Sequence, residues 1–138
     1  MDAKDLMIDD WVKCVDSTHT ISMFAQVDAI EEGHDCILVK RDISNWFLDI
    51  KYLEPIPLTA EILERNGFVY KEAEETCATE AFHQWRLDGS TFALDDNSWW
   101  RSVKDGKLRV KFGGFPLEYV HQLQHALRLC GIEKEIKL

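Results

Sequence analysis

The sequence predicts an α+β protein: a small N-terminal β-barrel over residues 1–57, then a helix–antiparallel meander–helix unit over residues 58–138. Three observations carry this expectation. Short β-favouring runs crowd into residues 11–57 with only tight turns between them. Two Asp-Gly pairs, Asp88-Gly89 and Asp105-Gly106, sit between alternating segments, a strong hairpin signal. Late in the chain Leu117, Val120, Leu123 (or Gln124), Leu127 and Cys130 recur at helical spacing.

The runs of the first half lie at 11–15, 21–30, 36–40, 45–48 and 53–56, and Glu31-Glu32-Gly33-His34-Asp35 turns the chain between the second and third. Five short strands in a flat sheet would leave exposed edges, and a closed or half-closed barrel removes them. Pro55 and Pro57 cannot donate to a ladder, so they mark the boundary between the two halves. Thr59 caps a helix over 60–66 whose buried side is Ile62 and Leu63. Gly67 suits the left-handed stop and Phe68 the apolar contact that accompanies it.

Residues 68–70 read as a strand and the polar, acidic 71–79 as a loop. Residues 81–87 alternate, with Phe82, Gln84 and Arg86 on one side and Ala81, His83, Trp85 and Leu87 on the other. The meander continues through 91–94, 98–104 and 107–112. Gly113-Gly114-Phe115-Pro116 then breaks it and starts the long helix, with Pro116 at its first position. Gly131 ends that helix, and the alternating 132–138 reads as a last strand.

Composition narrows the function classes. With 46% apolar and 30% charged residues the chain is globular rather than disordered. Sixteen basic against 25 acidic residues give a net charge of −9, which repels phosphate backbones and anionic lipid. The densest cations, Arg101, Lys104, Lys107, Arg109 and Lys111, are spread along a predicted hairpin and read as a solvated face. Neither a nucleic-acid nor a membrane partner is therefore expected. No signal-type apolar segment opens the chain, and no run approaches the roughly 20 residues that span a bilayer, so a cytoplasmic protein is expected. Cys14, Cys36, Cys77 and Cys130 are far apart with no CxxC pair, so they read as small apolar fillers rather than metal or redox ligands.

Candidate sites are few. His121 and His125 share one helix face at i, i+4, the spacing zinc favours, and make a metal pair the alternative reading. A metalloprotease of this pattern needs a glutamate after the first histidine, and Gln122 stands there with no titratable oxygen. Asp88, Asp95 and Asp96 bracket a hairpin without calcium-loop spacing and read as turn residues. Trp99 and Trp100 point to opposite faces of any strand, so one of them is left to anchor a partner beside Arg101. Trp11 and Trp46 read as filling a small core. The serines lack a nucleophile-elbow setting, and Gly113-Gly114 lacks phosphate-loop spacing.

Three blocks carry a resemblance. Lys4-Asp5-Leu6-Met7-Ile8-Asp9-Asp10-Trp11-Val12 resembles the LMIGDWV opening of a group of small bacterial proteins of unknown function. Residues 55–68, from Pro55-Ile56-Pro57 to Asn66-Gly67-Phe68, resemble that group's central PIPLTxEILEKNGF block. Residues 119–131, from Tyr119-Val120-His121 to Leu129-Cys130-Gly131, resemble its terminal YVHELQHALRLCG block. Together the blocks cover about a quarter of the chain. The resemblance implies a bacterial setting near prophage or mobile-element genes. It brings no activity, so no functional residue is carried over. This chain departs from the pattern at Asp9, where the group has Gly, and at Gln122, where it often has Glu. The opening block is also similar to the first strand of Src-homology-type (SH3-like) barrels, an analogy of fold alone.

The expectation is thus a non-enzymatic protein-binding or adaptor protein of a phage or mobile element, with no cofactor, a protein partner at Trp99, Trp100 and Arg101, and self-association as a further option. The alternative is a metal-dependent hydrolase using His121 and His125.

Overall fold

The computed structural model describes residues 5–18, 22–30, 36–78, 80, 82–96 and 108–138. Its contacts divide the chain into two units: residues 1–57 with 119–125, and residues 58–118 with 126–138.

The first unit is one antiparallel sheet with strand order β4-β3-β2-β1-β5: β1 (Trp11–Val15), β2 (Ser22–Ile30), β3 (Cys36–Arg41), β4 (Ser44–Asp49) and β5 (Leu53–Glu54). Alternation sets its register. Val12 pairs with Ala25 and Val27 with Val39, so these side chains share one face, and all four are fully buried. Leu6, Cys14, Ile37 and Leu53 complete that core, and Met23, Ile30, Trp46, Leu48 and Ile50 pack against it. Asp42 takes a left-handed φ of 54° in the β3–β4 turn, a conformation Asp tolerates better than most residues. Between β4 and β5 the chain makes a short 3-10 turn over Ile50–Tyr52, opened by the Asp49 side chain accepting from the Lys51 N–H. β4 and β5 are the two edges of this sheet, so the barrel is open rather than closed.

The second unit holds α1 (Ala60–Arg65) and a sheet of order β10-β9-β8-β7-β6: β6 (Phe68–Ala73), β7 (Phe82–Leu87), β8 (Ala93–Asp96), β9 (Val110–Phe112) and β10 (Phe115–Leu117). Its buried residues include Leu63, Phe68, Trp85, Leu87, Leu94 and Val110. Thr59 caps α1 through its hydroxyl, which accepts from the Ile62 N–H at 3.2 Å. Gly67 stops the helix at φ 83°, in the left-handed region where a Cβ is strained.

The α+β expectation is overturned. Two five-stranded antiparallel sheets dominate, and the helices are short: six residues in α1 and ten in α2 (Val120–Leu129). There is no helix–meander–helix unit. The main cause lies at Gly113-Gly114. Both glycines have positive φ, 56° and 89°, and they close a tight hairpin that pairs Phe115 with Phe112 and Leu117 with Val110. Pro116 therefore lies on the edge strand β10 opposite Lys111, where its missing N–H is tolerated, and α2 begins only at Val120.

Smaller expectations change too. The strand expected over 68–70 runs on to Ala73, because Lys71, Glu72 and Ala73 pair with Gln84, His83 and Phe82. The Asp88-Gly89 turn is wider than two residues: the Leu87 N–H donates to Phe92 O across it at 3.0 Å. Residues 132–138 form no strand, although Ile136 is buried. Instead the Asn66 amide holds this tail, donating to Lys137 O at 2.7 Å and accepting from the Lys137 N–H at 2.7 Å.

Of the four cysteines only Cys14 is a buried filler. Cys36, Cys77 and Cys130 are exposed, and all four are free thiols. Burial pushes the Cys14 thiol up to about 11, so little thiolate forms there near neutral pH. Titration with a disulfide reagent in mildly alkaline buffer is expected to modify Cys36, Cys77 and Cys130 in the native protein, and Cys14 only after denaturation. Rapid modification of Cys14 would mean that its strand opens readily.

Candidate functional site

The site belongs to the first unit and is built on the start of α2. Tyr119 precedes the helix and bridges to Pro57, and the Val120 N–H donates to Ile56 O at 2.9 Å. Gln122 reaches back so that its Oε1 accepts from the Tyr119 N–H at 3.1 Å, the return arm of a capping box. This is a task glutamine performs as well as glutamate, and it accounts for Gln122 without any catalytic role.

Two residues further on, the helix grips the N-terminal segment. Gln124 Oε1 accepts from the Trp11 N–H at 2.9 Å, and its Nε2 donates to Asp9 O at 3.0 Å. His125 Nε2 lies 2.6 Å from Asp10 Oδ2. Asp10 is fully buried, and the same Oδ2 accepts from the Met7 N–H at 2.8 Å. A carboxylate can sit at zero exposure only when such donors replace the water it has lost.

The turn that presents Asp10 is bent at Asp9, whose φ is 71°. That conformation suits glycine better than a residue with a Cβ. The Asp9 carboxylate reaches Lys40 Nζ at 2.7 Å, and Asp28 lies 3.6 Å from the same ammonium.

His121 and His125 stand together with ring centroids 5.7 Å apart, edge to face. Tyr119 stacks on His121 at 5.8 Å with the rings nearly parallel. His121 is 5% exposed, and its Nδ1 is buried with no hydrogen-bond partner. Burial pushes its pKa below the ordinary histidine value, against the pull of Asp10 and with the push of His125. Beside these rings opens a pocket of about 590 Å³ lined by Asp5, Met7, Pro55, Tyr119, His121, Gln122 and His125. Its volume lies within the usual range for small-ligand sites.

The lowered His121 value has a sign. Folding favours the neutral ring, so the unfolded chain binds this proton more readily, and stability falls as pH drops below about 6.5. His121→Phe keeps the ring stack and removes both the titration and the unpaired nitrogen. The loss of melting temperature between pH 7.5 and 5.5 is expected to be smaller in that variant, read by calorimetry, than in the unmodified protein. An equal loss in both would acquit His121.

The two histidines expected to pair do come together, yet among the described residues no group of three or more His, Cys, Asp or Glu side chains is arranged to hold a metal ion. Asp10 Oδ2 and His125 Nε2 meet each other directly, which leaves no gap for an ion between them. Trp99, Trp100 and Arg101 lie outside the described residues. Asp96, expected at a turn, is instead a buried end of β8 that accepts from Trp85 Nε1–H at 2.9 Å. Asp10 was not among the expected site residues. Its only local signal is an acidic residue directly before an apolar strand, and its partner is 115 positions away.

Comparison of this chain with protein-family models, with curated proteins and with solved structures finds no match. Among the described residues no helix is long and apolar enough to cross a membrane.

Proposed function

We propose that this chain is a non-enzymatic protein-binding protein and that the pocket beside Tyr119 and His125 is its recognition site. The observation that supports this most is what the polar groups there already do. Asp10, His125, Gln122 and Gln124 are spent on capping the helix and tying it to residues 7–11. Among the described residues the pocket lining contains no Ser, Thr, Cys or Lys nucleophile for the Asp–His pair to activate. What remains is an open cavity with aromatic, thioether and proline walls, suited to receiving a side chain. The resemblance of three sequence blocks to bacterial proteins found near prophage genes supports a phage or mobile-element setting for that binding.

The test is site-directed photo-cross-linking in cells. A photoreactive residue replacing Met7, in the pocket, is expected to trap one predominant protein, while the same residue replacing the exposed Phe115 in the second unit traps none of it. Equal trapping from both positions would remove the pocket as the recognition site. Steady turnover of an ester, phosphodiester or peptide by the purified chain, lost in His125→Gln, would replace the binding reading with an enzymatic one.

A further inference from the structure

Resting on that reading, we propose that the pocket receives a cationic side chain, arginine or lysine, from the partner polypeptide. The argument is electrostatic and geometric. Asp5 lines the pocket and is exposed, and the buried Asp10 carboxylate lies directly behind His125. Among the described residues no lysine or arginine lines the cavity. His121, which could have supplied a positive charge, is held towards the neutral form by burial. The carboxylate on the cavity wall is thus Asp5, with the Asp10 carboxylate behind His125. The field in the cavity favours a cation and opposes an anion, and the net charge of −9 draws a basic surface towards it.

Shape points the same way. The parallel Tyr119 and His121 rings, with Met7 and Pro55 as apolar walls, match the long methylene stem and flat or compact head of a basic side chain. A carboxylate or phosphate guest would meet Asp5, and no Lys or Arg among the described lining residues offsets that charge.

The test uses capped pentapeptides, Gly-Gly-Arg-Gly-Gly and its norleucine counterpart, titrated into the full chain while the imidazole signals of His121 and His125 are followed by NMR. The arginine peptide is expected to give saturable shifts, and the norleucine peptide at least about fivefold weaker ones. Asp5→Asn, a change at an exposed position, is expected to weaken the arginine peptide by up to about fivefold, and high salt to do the same. Equal binding of the two peptides, or no saturable shift with either, would overturn the cationic assignment. So would tighter binding of free agmatine with indifference to the peptide, since that would point to a small-molecule amine instead. The two proposals fail separately. If Met7-directed cross-linking is specific but the arginine peptide is ignored, the recognition site stands and its charge preference falls.

Discussion

Replacing Asp10 with alanine is expected to cost about 3 kcal/mol of stability, the largest effect among substitutions in the first unit's polar network. Asp10 has zero exposure, and one oxygen serves both the Met7 N–H and His125. Removing the carboxylate leaves a backbone donor and an imidazole without their acceptor. His125 is a quarter exposed and can rehydrate in part, which holds the cost at the lower end of the range for broken buried pairs. Asp10→Asn keeps an oxygen for the Met7 N–H, so its cost should be about half as large. The melting temperature is expected to fall by roughly 10 °C for alanine and by clearly less for asparagine. If both variants melt like the parent, the Asp10–His125 contact contributes nothing to folding, and His125 becomes free for other work.

The second large effect is expected at Asn66, in the other unit. Its side chain is buried and makes three hydrogen bonds: Nδ2 donates to Ile62 O at 2.8 Å and to Lys137 O at 2.7 Å, and Oδ1 accepts from the Lys137 N–H at 2.7 Å. One amide thus ends α1 and pins the C-terminal tail, which brings Ile136 to 1% exposure. Asn66→Ala is expected to cost about 2–3 kcal/mol, near 1 kcal/mol for each bond lost. Asn66→Asp keeps the volume but aims oxygens at two carbonyl oxygens, so it should cost at least as much despite being nearly isosteric. Hydrogen exchange gives the sharper reading. The Lys137 amide should lose its protection in both variants while β6 and β7 retain theirs. Retained protection at Lys137 would show that apolar packing of Ile136, rather than the amide, secures the tail.

What could be read in advance was local. The strands of residues 11–54 follow from alternation, because Val12, Cys14, Ala25, Val27, Ile37 and Val39 must all turn inward and a one-residue slip would expose every one of them. The Thr59 cap and the Gly67 stop follow from the chemistry of helix ends. Gly113-Gly114 was ambiguous in principle. A glycine pair ends an element as readily as it forms a hairpin, and Pro116 fits a first helical turn as well as an edge strand. Only the pairing of β10 with β9, a tertiary event, decides between them.

The site was half legible. His121 and His125 stand out by spacing, and the spacing does bring their rings together. The residue that gives His125 its orientation, Asp10, is invisible to any local pattern, because a buried carboxylate is recognised only by what surrounds it. Cys130 shows the reverse error. It continues the apolar stripe on paper, yet it falls just past the end of α2 and is exposed, while His121 and Gln124 have taken buried positions beside Leu123.

Residues 119–125 group with a sheet that ends at Glu54, although 61 residues of the other unit, 58–118, are synthesised between them. Vectorial synthesis then carries a penalty in time. On the ribosome, strands β1 to β5 emerge early but lack the Gln124 and His125 side chains that seat residues 9–11, and Asp10 must wait in water until they arrive. A nascent chain stalled before Tyr119 should therefore hold a loosely closed first sheet, open to protease near Trp11, which tightens only when the last 20 of the 138 residues have been made.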